Sequence, residues 1–193
     1  MRLVLATRND HKVRELSRLL PGAELEPLPP GVALPPEDGD TFAANALGKA
    51  RAAAAALGRP AVGDDSGVES DALGGAPGIH SARFAGPDAT DGDNLAKLRA
   101  EAPAGSGLRY VCVIAYAAPG GGDRAFEGVC VGKLSAQARG SGGFGYDPAF
   151  LPDDVADGRT MAELSAAEKD AVSHRGRAAR ELLAWLRSEA RAR

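Results

Sequence analysis

The sequence predicts an α/β protein, and three stretches predict it. Residues 2 to 6 (RLVLA) form an apolar strand that runs into a polar turn and an amphipathic helix. A capped helix over 42–57 leads to a second apolar approach at Ala61-Val62-Gly63. Residues 109–117 (RYVCVIAYA) and 124–134 (RAFEGVCVGKL) read as two strands of an antiparallel hairpin. These elements frame one stretch, Ala61-Val62-Gly63-Asp64-Asp65-Ser66-Gly67, where two adjacent carboxylates follow a strand end.

Taken in order, the first strand ends at Thr7-Arg8-Asn9-Asp10-His11-Lys12. Asp10 is a suitable N-cap, and Val13, Leu16, Leu19 and Leu20 give a helical stripe that stops at Pro21-Gly22. Strand, turn and helix N-terminus together can hold an anion, with Lys12 adding charge, although a plain βα turn has the same pattern. Pro27, Pro29, Pro30, Pro35 and Pro36 make the next stretch irregular, with at most a short strand, before Glu37-Asp38-Gly39-Asp40. Thr41 caps the helix that Gly58-Arg59-Pro60 ends, and Asn45 and Lys49, four apart, share its polar face.

At Asp64-Asp65 the alternation of a strand sends the two side chains to opposite faces, so one can hold a cation or activate water while the other braces the turn. The same four residues also describe a solvated acidic turn. Residues 71–78 (DALGGAPG) carry repeated turn signals and lead to Arg83, which suits phosphate pairing or an exposed surface equally. Asn94 to Ala102 reads as a helix behind an acidic cap. Within 140–148 (GSGGFGYDP), glycines permit close backbone approach and two aromatics offer faces, yet the Gly-Lys-Ser/Thr ending of a P-loop is absent. Thr160 to Glu163 and Ser165 to Glu168 each fit a capping box. Lys169 precedes Ser173-His174-Arg175 and a final helix with Leu182, Leu183, Trp185 and Leu186. Two cations at that helix start oppose the dipole, a conflict that an anion or carbonyl would relieve.

With 193 residues, 44% apolar and 25% charged, the chain is long enough for one domain with a real core. A net charge of −3 supplies no basic field for nucleic acid. Two cysteines make no disulfide framework and are expected as packed thiols. The N-terminal apolar run is too short for a signal peptide, and no stretch approaches the ~20 apolar residues of a membrane span. A cytoplasmic protein is therefore expected, with neither nucleic-acid nor membrane partners.

Several segments together resemble one family, the inosine triphosphate pyrophosphatases that act on deaminated purine nucleotides. They are Thr7-x-Asn9-x-x-Lys12, Gly39-x-Thr41-Phe42-x-x-Asn45-Ala46, and Asp64-Asp65-Ser66-Gly67. Pro77-Gly78 with Ser81-Ala82-Arg83, then Gly143-Phe144-Gly145-Tyr146-Asp147-Pro148, continue the series. Thr160-Met161-Ala162-Glu163-Leu164 and Glu168-Lys169 with Ser173-His174-Arg175 close it, in matching order and spacing. Ala44 stands where the family usually has Glu, and His80 where Tyr is common.

The resemblance implies a single domain over 1–193, α/β, with a long central mixed sheet flanked by helices and two lobes with a substrate cleft between them. It also implies a homodimer and Mg²⁺-dependent hydrolysis of ITP, dITP and XTP to the monophosphate and pyrophosphate. By the same resemblance the triphosphate falls to Thr7, Arg8, Asn9, Asp10, His11, Lys12 and Lys49. Asp65 becomes general base and metal ligand, Glu37 the second metal ligand, and Ser66 a substrate contact. Phe144, Gly145, Tyr146, Asp147, Lys169, His174 and Arg175 surround base and sugar, the last two offering donors to a carbonyl at the six position. A Maf-like pyrophosphatase of other nucleotide preference is the nearest alternative, against which the His174-Arg175 pair argues. A nucleotide sensor that binds without hydrolysing is the other, and gains nothing from Asp64, Asp65 and Glu37 beside phosphates.

Overall fold

Leu3, Val4 and Leu5 are all buried, so the strand they form, β1 (Arg2–Leu5), is covered on both faces, as a parallel interior strand should be. In the computed structural model, which describes residues 2–192, it pairs in parallel with β2 (Glu24–Pro27) and β3 (Ala61–Ser70). Pro27 ends β2 at the sheet's edge, where proline is tolerated. Beyond β3 come β4 (Gly107–Ala117), β5 (Arg124–Leu134) and β6 (Phe150–Pro152), the last antiparallel to β5. Among the described residues the order is β2-β1-β3-β4-β5-β6, a mixed sheet with helices, and hence an α/β fold. The six residues joining β4 to β5 are too few for a parallel crossover, so these neighbours form the expected hairpin.

The chain divides into two units. The first takes in residues 2–65, 112–128 and 175–192. Its core packs Leu3 and Leu5 against Leu16 and Leu20 of α1 (Asp10–Leu19), Ile114 and Tyr116 of β4, and Ala178, Ala179 and Leu182 of α5 (His174–Ala192). Trp185 of α5 meets Tyr116 at 4.8 Å and Phe126 at 5.6 Å between ring centroids, so one aromatic from each hairpin arm faces this helix. The second unit, 66–111 and 129–174, centres on Val68, Leu98, Tyr110, Tyr146, Phe150 and Met161. It holds α3 (Asp91–Glu101) and α4 (Ala166–Val172). Cys112 and Cys130 are both buried as thiols, as expected.

Several expectations are met closely. Thr41 caps α2 (Phe42–Leu57), Gly58 ends it in the left-handed region, and both capping boxes near 160–168 are formed. Others need correction. Asn9, not Asp10, caps α1: its side chain accepts from the His11 and Lys12 amides, which leaves Asp10 as a favourable first-turn acid. α3 starts at Asp91, because Thr90 and Asp93 close a capping box ahead of Asn94. The acidic stretch is neither a turn nor solvated, since β3 continues through it to Ser70 and both carboxylates are buried. Each is compensated by cations of the first unit, which is why the strand need not break there.

Candidate active site

Gly63 sets the geometry. A Cβ there would collide with the Ala46 carbonyl oxygen, so only glycine lets α2 lie this close to β3. Asn45 and Lys49, one turn apart on α2 and beside that contact, both reach Asp65. The Asn45 amide donates to Asp65 Oδ2 at 3.0 Å, and Lys49 Nζ lies 3.4 Å from Oδ1. The same ammonium donates to Glu37 Oε1 at 2.5 Å. Two carboxylates thus share one cation.

Asp64 meets a different set. Arg175 forks onto it, with Nε 2.9 Å from Oδ2 and Nη2 3.4 Å from Oδ1, and the Lys12 ammonium pairs with Oδ1. The Cys112 thiol lies 3.1 Å from Oδ2. Arg175 Nη1 extends the chain to Glu15 Oε2 at 2.6 Å. Asp64 and Arg175 are each 1% exposed, so this is a buried ionic cluster with its hydrogen bonds made.

The two sets shift the neighbouring acids in opposite directions. Burial works to raise Asp64, but Arg175 and Lys12 outweigh it and hold the carboxyl well below its ordinary value. Burial also raises Asp65, and there it prevails over Lys49 and Lys12, with Glu37 pushing the same way. Lys49 loses by desolvation and gains more from Asp65 and Glu37, so it stays firmly protonated. Burial and Asp64 push the Cys112 thiol up. Neighbouring acids driven apart in this way are the pattern of a fixed charge beside a proton acceptor.

The turn at 7–12 is largely closed on itself. Thr7 Oγ1 accepts from the Asn9 amide, and Asn9 caps the helix; Arg14 Nη2 lies 2.9 Å from His11 Nδ1. Arg8 points to the proline stretch, and Asp10 is exposed. Lys12 and Lys49 are therefore the members of the expected phosphate set that join the acidic cluster. Glu37 and Asp65, already bridged by an ammonium, fit Mg²⁺, which needs one or two carboxylates and takes its other oxygens from water and phosphate. Among the described residues no three or more His, Cys, Asp or Glu side chains converge into a cage that would hold a metal alone.

In the second unit Asp147 organises the 144–147 turn. It accepts from the Phe144 amide at 2.9 Å, Lys169 Nζ at 2.6 Å and the Tyr110 hydroxyl at 3.1 Å. Gly143 and Gly145 both take positive φ, which turns the chain sharply around Phe144. Tyr146 is buried, donating to the Ser81 carbonyl at 2.7 Å, so of the two aromatics only Phe144 remains partly exposed, with Lys169 Nζ 5.2 Å from its ring centroid. The Gly145 amide donates to Asp91. His174 stacks on Tyr110 at 4.3 Å, and Ser66 is half-buried.

The Ham1 family model matches residues 3–185. This chain belongs to the Ham1 family. Its relatives include a dITP/XTP pyrophosphatase of Symbiobacterium thermophilum, 51% identical over 92% of this chain and 90% of that protein. Another, from Frankia alni, is 47% identical over 97% and 98%. A solved structure of a HAM1 protein from Coxiella burnetii superposes with TM-score 0.85 at 38% identity, covering 97% of this chain and 99% of that one.

Within this Ham1-family chain, the Arg175 charge at the start of α5 is met by the protein itself, because Asp64 and Glu15 occupy its guanidinium. Sequence reasoning missed Glu15, Cys112 and the bonding role of Asn45. Spacing held a signal for two of them. Glu15 sits three residues after Lys12 on α1, and Asn45 four before Lys49 on α2. For Cys112, in an apolar strand, there was none.

Proposed function

We propose that this chain is a nucleoside triphosphate pyrophosphatase acting on deaminated purine nucleotides (ITP, dITP and XTP) to release the monophosphate and pyrophosphate. The observation that carries the reading is the different company of two adjacent carboxylates: Asp64 is locked by Arg175 and Lys12, while Asp65 is held by Asn45 beside Lys49 and Glu37. The names of the dITP/XTP pyrophosphatase relatives supply the substrate class. Asp65 accepts a proton from water as the water oxygen bonds to the α-phosphorus and the bond from that phosphorus to the bridging oxygen breaks, so pyrophosphate leaves. Lys12 and Lys49 offset the phosphate charge, and Asn45 keeps the Asp65 carboxylate oriented. Glu37 and Asp65 would hold Mg²⁺, which would supply further neutralisation of the phosphate oxygens.

Ser66, Phe144, Lys169 and His174 are assigned to sugar and base by family resemblance, with Asp147 setting the turn. Arg175 is assigned first to Asp64, which its buried fork supports, and to the base only if it leaves that partner. Thr7, Asn9 and the other residues of the 7–12 turn shape the phosphate end. The whole chain works as one catalytic domain and a cytoplasmic homodimer, as the resemblance implies; light scattering tests the dimer. Incubation with dITP, XTP, ITP or ATP and Mg²⁺ tests the activity. Pyrophosphate from the first three in preference to ATP is expected. Orthophosphate as the product, or equal turnover of ATP, would refute the assignment.

A further inference from the structure

Between β2 and α2 the chain forms no helix or strand, yet this irregular stretch carries Glu37. Its prolines at 29, 30, 35 and 36 have no N–H, so the segment can make few backbone bonds of its own. Free, such a stretch would hold an acid in no fixed place. Two side chains fix it instead. At the downstream end the Gly39 amide donates to Asn45 Oδ1 at 2.9 Å, and the same Asn45 donates to Asp65. A Cβ on Gly39 would press on Asn45 Oδ1 and on the Ala44 methyl, so this staple needs glycine. Upstream, Arg8 Nη2 donates to the Val32 carbonyl at 2.8 Å and the Pro30 carbonyl at 3.2 Å, with the Pro29 carbonyl at 3.4 Å. Arg8 itself lies in the short turn between β1 and α1, elements anchored in the first unit's core by Leu5 and Leu16. Glu37 sits between the two staples and reaches Lys49.

We propose that Arg8 is a positioning residue: it ties the proline stretch to the core so that Glu37 is held facing Asp65 before any ligand arrives. This rests on the reading of Glu37 as a metal ligand. It assigns the Nη2 end of Arg8 to carbonyls of its own chain and so to the proline stretch. A guanidinium suits the task, since its planar fork stays charged and can serve several carbonyl oxygens at once.

Hydrogen exchange on the metal-free protein tests the staple apart from activity. In Arg8→Ala the Val32 amide, which donates to the Pro29 carbonyl, and the Gly39 amide, which donates to Asn45, should exchange about 10-fold faster, while β1 and α2 keep their protection; Arg8→Lys should fall between. In steady-state assays of the same variants, the Mg²⁺ concentration for half-maximal rate should rise about 5-fold in Arg8→Ala. The nucleotide KM at saturating Mg²⁺ should change less than that. Unchanged exchange of the Val32 and Gly39 amides would overturn the proposal, and so would a higher nucleotide KM with an unaltered Mg²⁺ requirement, which is the signature of a phosphate ligand. Faster exchange without any change in Mg²⁺ requirement would also overturn it, by separating the loop from the metal. Glu37→Gln separates the two readings: if that variant leaves the Mg²⁺ requirement unchanged, Glu37 is no metal ligand and the functional assignment is at fault, whatever the exchange data on Arg8 show.

Discussion

Asp64 and Asp65 are neighbours on one strand and both are buried, yet they face different company. Asp64 has a bidentate arginine, a lysine and a thiol, all inside the protein. Asp65 has one amide and a lysine that it shares with Glu37. Burial acts on both in the same sense, and the number and closeness of cations decides the outcome. The lesson is that strand alternation can make a structural anion and a reactive one from adjacent identical residues.

The largest effect should come from removing the reactive member. Asp65→Asn keeps the shape and the bond to Asn45 but loses the proton acceptor, and turnover should fall by about 100-fold or more. Its melting temperature should hold or rise, because a carboxylate disfavoured by burial has gone. A fall in stability equal to that of Asp64→Asn would break the comparison.

Asp64→Asn is the converse. It leaves the Arg175 guanidinium buried with Glu15 as its remaining acid partner, and urea denaturation should show a loss of about 3 kcal/mol. Acid should act through the same residue. Asp64 has a lowered folded value, so its contribution is fully present above the unfolded aspartate value of about 3.9 and is lost as pH falls through the lower folded one. Asp65, with a raised folded value, works in reverse: its charge opposes folding above that value, and protonation relieves it as pH falls. Thermal melts between pH 5 and pH 2 should therefore fall more steeply for the wild type than for Asp64→Asn. Parallel curves would mean that Asp64 carries no depressed carboxyl.

The smallest effect sharpens the Asp64 side alone. Cys112→Ala removes one thiol contact and a little packing, and should cost about 1 kcal/mol in denaturation. The pH dependence of turnover should stay put. A shift in that profile would show that the two faces are coupled.

Much of this arrangement was legible in the sequence, for identifiable reasons. Thr41, Gly58 and the two Ser/Thr-x-x-Glu boxes are local devices, so four residues suffice to read them. The opposed faces of Asp64 and Asp65 follow from strand period alone. What could not be read was which cations would compensate them. Arg175 lies 111 residues from Asp64, and Glu15 a further 49 towards the N-terminus, at 160 from Arg175, so their meeting is a product of tertiary packing. The same packing let β3 run through a stretch whose local chemistry reads as a turn. Capping of α1 failed for the opposite reason: Asn9 and Asp10 are both good caps, and local rules do not choose between neighbours.

The account turns on the two adjacent carboxyls titrating apart, and site-resolved carboxyl NMR on the metal-free protein measures that directly. Asp65 should titrate above the ordinary aspartate value of about 3.9 and Asp64 below it. If Asp65 titrates at or below Asp64, the fixed charge and the proton acceptor have been assigned the wrong way round.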